Sequence, residues 1–167
     1  MTGLLEPDDF VPAEFSPCRT WRYVLRRRWS AAPPIAFILL NPSTADETKD
    51  DPTIRRCIGF ARSWRAGGLV LGNLFALRST DPRALRSHPD PVGPGNDSAL
   101  LAIVDEVGRD GTVICGWGVH GTLMDRGEKV RASLRDWGCT PRALAMTATG
   151  EPGHPLYLPG GSEPFAL

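Results

Sequence analysis

The sequence predicts an α/β fold: three layers, α/β/α, around a mainly parallel four-stranded central sheet. Three observations predict it. From residue 35 onward, short apolar runs at 35–40, 69–77, 112–117 and 142–147 alternate with segments of helical periodicity, the signature of a parallel sheet covered by its own crossover helices. The run IAFILL, residues 35–40, is apolar at every position, as a strand buried on both faces is. Pro and Gly fall between these segments instead of gathering in one tract, so residues 18–167 read as one domain behind an irregular N-terminal arm, residues 1–17. A chain of 167 residues buries roughly two thirds of its unfolded surface and folds without staples.

Taken in order, residues 18–29 set Trp21, Tyr23 and Leu25 against Arg22 and Arg26, the alternation of a half-buried strand added at one edge. A turn at Ala32–Pro34 leads into 35–40. Asp51 before Pro52 is the pairing of a helix cap with its first helical residue, and the helix runs to the Gly67-Gly68 stop. The strand 69–77 follows, then a connection with four prolines between 82 and 94 that permits one short turn at most. Asn96 or Asp97 caps a helix with apolar residues at 100, 101, 103, 104 and 107 on one face. Residues 112–117 form a strand, 119–137 a helix closed by Gly138, and 142–147 the last strand, before a loop-like tail from Ala148.

Composition narrows the function classes. With 19 basic and 19 acidic residues the net charge is zero, which disfavours binding long nucleic acid by bulk electrostatics and leaves only local contacts with a short footprint. Cys18, Cys57, Cys115 and Cys139 are widely spaced with no C-x-x-C pair, so free thiols and no metal or other cofactor are expected. No apolar run approaches the roughly 20 residues of a membrane span, and the first ten residues carry acid where a secretory signal carries base. A cytoplasmic location with no membrane partner is the expectation.

In parallel sheets ligands bind beyond the carboxyl ends of the strands, where NPSTAD, GNLFALRSTD, GWGVHG and TATGEPGHPLYLP fall. Asn41 ends the first central strand before a restraining proline, and its amide both donates and accepts. The alternative is a turn residue, with Ser43 or Thr44 capping a short helix. Asn73 stands likewise on the second strand with Phe75 two residues on; an amide with an aromatic face holds a planar heterocycle, and a core Phe beside a turn Asn is the other option. The three glycines of 116–121 admit close approach of a ligand or a neighbouring element. His154, in a Gly-Pro-rich loop, suits donation to developing negative charge, or is a solvated loop residue. Arg55, Arg56 and Arg78, with Ser43, are the candidates for holding phosphate, although Asp46, Asp50 and Asp51 in the cluster around the first helix start oppose an anion and favour the alternative, a capped, solvated helix face.

The segments LNPSTAD, DDPTIRRC, NLFALRSTDP, PVGPGND, GWG and TGEPGHPLYLP resemble the bacterial DUF1643 family, a domain of unknown function, from about Phe15 to the end. In order and spacing the chain also resembles the uracil-DNA glycosylase superfamily. Leu39-Leu40-Asn41-Pro42-Ser43 is similar to the motif that positions the attacking water, and Leu71-Gly72-Asn73 to the one that reads the base edge. Gly116-Trp117-Gly118 is similar to a later Leu-Trp-Gly strand end, and His154-Pro155-Leu156 to the closing motif that donates to the base. The resemblance implies a glycosylase-like fold and hydrolysis of the N-glycosidic bond of a modified or damaged base in nucleic acid or a nucleotide. Asn41 and His154 would be catalytic, Asn73 and Phe75 base-binding. Leu156 and Ser43 depart from the small hydroxyl residue and the glycine usual at those places. A non-catalytic nucleotide or nucleic-acid binder that keeps the pocket is the alternative, and the absence of an acid at position 41 favours it.

Overall fold

A strand apolar on both faces demands cover on both sides, and the computed structural model, which describes residues 10–167, supplies it. The strands are β1 (Ala13–Phe15), β2 (Arg22–Arg28), β3 (Pro34–Leu39), β4 (Gly68–Asn73), β5 (Val113–Cys115), β6 (Pro141–Ala143) and β7 (Phe165–Ala166). The helices are α1 (Pro52–Ser63), α2 (Ala84–Ser87), α3 (Asn96–Val107) and α4 (Arg126–Asp136). Ile35, Phe37 and Leu39 of β3 pack on the face that Ile54, Cys57, Phe60 and Ala61 of α1 cover. Ala36 and Ile38 face Leu100, Ile103 and Val104 of α3 and Val130 and Leu134 of α4. Burying each such large apolar side chain contributes about 1.5–3 kcal/mol, so these two clusters hold the layers together.

The sheet has seven strands in the order β1-β2-β4-β3-β5-β6-β7 and is mixed, which corrects the expected mainly parallel four-stranded sheet. The pairings β4–β3, β3–β5 and β5–β6 are parallel, whereas β1–β2, β2–β4 and β6–β7 are antiparallel. The added edges came from segments too short to show a period: three residues of the expected arm and two near the end of the tail. Residues 1–9 of that arm lie outside the described residues.

Three local expectations are corrected. Arg22 is 2% exposed instead of facing solvent, because β2 carries an irregularity that sets Val24 opposite Glu14 and Arg22 opposite Phe15, skipping Tyr23. An extra residue in one strand turns the following side chains to the other face. Gly95, not Asn96 or Asp97, caps α3; Asn96 turns inward and its Nδ2 donates to the Asn73 and Leu74 carbonyls at 2.9 and 3.0 Å. The expected helix 119–137 is broken into a 3-10 segment, Val119–Asp125, and α4. Met124 and Asp125 have φ of 58° and 53°, values a helix does not accommodate. The start of α1 is as the sequence indicates, with Pro52 in its first turn and the Asp51 carboxylate accepting from the Ile54 N–H at 2.9 Å, a cap that contributes about 1 kcal/mol.

Candidate functional site

Where β3 ends, the chain turns at Asn41-Pro42, and the Asn41 side chain is held there by three carbonyls. Its Nδ2 donates to Pro42 at 3.0 Å, Leu77 at 3.3 Å and Ser79 at 3.0 Å. Three acceptors around one nitrogen fix which end of the amide is which. The Ser79 N–H in turn donates to the Pro42 carbonyl at 2.9 Å. Asn41 thus laces the loop after β3 to the one after β4 and keeps its Oδ1 for other partners.

That corner is one wall of a cleft of about 540 Å3 beyond the carboxyl ends of the parallel strands. Asn41 and Ser43 follow β3, Thr53 comes from the first turn of α1, and Ser79 and Thr80 from the loop beyond β4. Trp117 and Gly118 follow β5, and Gly153, His154, Leu156 and Tyr157 close the opposite side. The tail is seated by the glycines of the third turn. A Cβ at Gly116 would stand 2.8 Å from Pro155 Cδ, and Gly118, at φ 72°, donates its N–H to the Pro152 carbonyl at 2.7 Å. The close approach is therefore to a neighbouring segment of the chain.

His154 begins the short turn Pro155–Tyr157, and its Nδ1 accepts from the Leu156 N–H at 3.3 Å. An imidazole nitrogen that accepts carries no proton, so in the neutral ring the proton is on Nε2. Burial pushes the His154 pKa down, opposed by the charge of Asp51, which keeps the ring neutral with Nε2–H as its one donor. The Tyr157 ring lies 5.7 Å from it at 49° and is itself exposed.

Asn41, Ser43 and His154 come together in this cleft, while the other candidates are placed elsewhere. Asn73 and Phe75 are 1% and 0% exposed and do not line it. Phe75 packs with Leu40, Leu74 and Leu77 in the core, and both amide atoms of Asn73 are buried without a hydrogen-bond partner. Arg55 donates to the Asp50 carbonyl at 3.1 Å, and Arg56 donates to the Leu158 carbonyl and lies over the Phe60 ring. Together they border a separate hollow of about 240 Å3. Arg78 donates to the Arg19 carbonyl at 3.2 Å and covers the Phe15 ring. Thr53, Thr80 and Tyr157 were not singled out from the sequence. Thr53 had a signal, since a residue just after a helix cap that follows a strand points back toward the strand ends.

A further cleft of about 350 Å3 lies against β1 and β2, where Arg26 pairs with Glu14 at 2.6 Å and Glu106 at 2.9 Å and Arg27 with Asp50 at 2.8 Å, while Arg28 lines it without an ion pair among the described residues. Among the described residues no group of three or more His, Cys, Asp or Glu side chains is placed to hold a metal ion, and no helix is long and apolar enough to cross a membrane.

Fold and site define an α/β protein with a small polar cleft at the carboxyl ends of its parallel strands. The chain belongs to the family described as protein of unknown function (DUF1643), whose sequence profile matches residues 22–156. No curated protein and no solved structure gives a match.

Proposed function

We propose that the cleft holds a nucleobase and that the reaction it supports is hydrolysis of an N-glycosidic bond. The observation that carries this is the pairing, in one cleft, of a neutral His154 presenting Nε2–H with an Asn41 whose Nδ2 is tied down and whose Oδ1 is not. In such a hydrolysis the bond between the sugar carbon and the base nitrogen breaks, and its electron pair leaves with the base, where it spreads onto a ring carbonyl oxygen. A neutral imidazole donor stabilises that oxygen without first having to lose a proton, and one such donor accounts for about 10²–10³ in rate. Asn41 Oδ1 accepts a hydrogen bond from the water that adds to the sugar carbon; that water's proton passes to solvent or to the departing base. No Asp or Glu lines the cleft among the described residues, so the water is oriented rather than deprotonated, and turnover depends on a good leaving group. The ordered likeness of the segments at 39–43, 116–118 and 154–156 to the uracil-DNA glycosylases supports the same reading from the sequence. With Phe75 in the core, Tyr157 supplies the aromatic face.

The test is a panel of altered bases, offered as nucleosides and in oligonucleotides, scored for released base and abasic sites. Release that falls about a hundredfold in His154→Ala is expected; neither release nor binding across the panel refutes the proposal. The missing carboxylate favours a second reading, a binder of the same ligands without chemistry, for which the panel would show binding with no release.

A further inference from the structure

Beside the cleft, two arginines of α1 border a hollow of about 240 Å3, lined by Arg55, Arg56, Gly59, Phe60 and Gly160. We propose that this hollow is a phosphate subsite of the cleft, so that the ligand is a nucleobase whose sugar carries phosphate, as a nucleotide or within a nucleic-acid strand. The proposal rests on the base-binding reading above and deepens it.

Cleft and hollow share their walls. On α1, Thr53 lines the cleft and Arg56 the hollow, three residues or about 4.5 Å further along the axis. On the tail that packs against α1, Leu158 lines the cleft and Gly160 the hollow, two residues and so at most about 7 Å apart. Arg56 ties the two walls together by donating through Nη2 to the Leu158 carbonyl. A phosphate on the sugar of a base held in the cleft is therefore within reach of the hollow.

The groups around the hollow are those of an anion site. Among the described residues neither Arg55 nor Arg56 has an ion-pair partner, and no carboxylate lines the hollow. Arg55 donates from Nη1 to the Asp50 carbonyl at 3.1 Å, one bond from a guanidinium that has about five hydrogens to give. The Arg56 Nε is buried and has no hydrogen-bond partner among the described residues, a charged donor that calls for an acceptor. The acids nearby are already offset: Asp50 pairs with Arg27 at 2.8 Å, and the buried Arg22 guanidinium stands beside Asp51. Planar guanidinium forks suit the oxygens of a phosphate. Gly59 and Gly160 leave room for one, since a Cβ at either would meet no atom within 4 Å. Arg78, bound to the Arg19 carbonyl and lying over Phe15, is not part of the hollow.

The experiment is calorimetric titration of the full chain, at low ionic strength, with the common ribo- and deoxyribonucleosides, their 3′- and 5′-monophosphates, and short single-stranded oligonucleotides. With charge-assisted hydrogen bonds to the phosphate, a phosphorylated ligand should bind about tenfold or more tighter than its nucleoside. Arg55→Gln and Arg56→Gln should each shrink that ratio by about threefold or more while leaving nucleoside affinity at the wild-type level. Arg56→Gln keeps an amide donor for Leu158, and the exposed Arg55 gives a second variant that leaves the tail contact untouched. Arg62→Gln, on the same helix but over the Trp29 ring and outside the hollow, should leave the ratio unchanged. Tightest binding by the monophosphates identifies a nucleotide as the ligand, and tightest binding by the oligonucleotides a strand; both support the subsite. Phosphorylated ligands bound no tighter than nucleosides, or a ratio that falls as much in Arg62→Gln as in the other two variants, overturn the proposal and leave the base-binding reading standing. Binding of neither class overturns the reading and the proposal together.

Discussion

Asn41→Asp exchanges one oxygen-bearing planar side chain for another of the same shape, and it isolates what the Asn41 amide does. The wild-type Nδ2 shares two hydrogens among the carbonyls of Pro42, Leu77 and Ser79, at 3.0, 3.3 and 3.0 Å. The carboxylate brings no hydrogen and sets a negative oxygen against all three. Two hydrogen bonds lost at about 0.5–1.5 kcal/mol each, with part of a further 1–3 kcal/mol for carbonyls left unpaired, give about 2–4 kcal/mol of destabilisation at this half-buried position. For a chain of this size that is a fall in Tm of roughly 5–15 °C. The sign with pH follows from the same contacts. Ringed by carbonyl oxygens, the new carboxyl has a folded-state pKa above the value of about 3.9 it has unfolded. Its charge therefore costs stability above the folded value, and protonation restores one donor, so the deficit relative to wild type should narrow as pH falls through the raised pKa. Urea unfolding of both proteins at neutral and at mildly acid pH measures this. A variant within about 0.5 kcal/mol of wild type at neutral pH, or a deficit that widens on acidification, refutes the lacing role of Asn41.

Three other outcomes are expected. His154, with a folded-state pKa lowered by burial, should titrate below the ordinary value of about 6.5 by NMR; the unfolded chain then binds its proton first, so stability is lost as pH falls below about 6.5, and His154→Gln should flatten that decline. Gly121→Ala would place a Cβ 2.0 Å from Trp117 Cδ1, which should cost about 1–3 kcal/mol or more in a denaturant titration, and a variant of wild-type stability would show that the indole moves freely. Cys18, exposed and with a pKa lowered to about 7 chiefly by its hydrogen bond to the Ser16 hydroxyl, should be the one fast-reacting thiol in the native protein, with a rate that rises through about pH 7 and vanishes in Cys18→Ser. Burial raises the pKa of Cys57 and Cys115, and modification of either at a comparable rate in the native state would contradict the packing around them.

Local rules determined a good part of this protein from the sequence alone. The α/β class follows from the alternation of apolar runs with helical periodicity, the start of α1 from Asp51-Pro52, and the position of Asn41 at a strand's carboxyl end from IAFILL followed by Asn-Pro. Each of these is a property of a few adjacent residues. What pairing decides was out of reach. The edges β1 and β7 are three and two residues long and exist only because neighbours offer free hydrogen-bonding groups. Arg22 is buried because β1 meets β2 across an irregularity that no alternation within β2 reveals. The two asparagines, alike in the sequence, are separated by register. Asn73 lies opposite Leu39, two residues short of Asn41, which at about 3.3 Å per residue sets it roughly 7 Å deeper in the sheet. There Asn73 is covered, and Phe75, level with Asn41, is claimed by the core. A sequence states which residues end a strand, but the offset between neighbouring strands decides which of those ends opens onto a cleft.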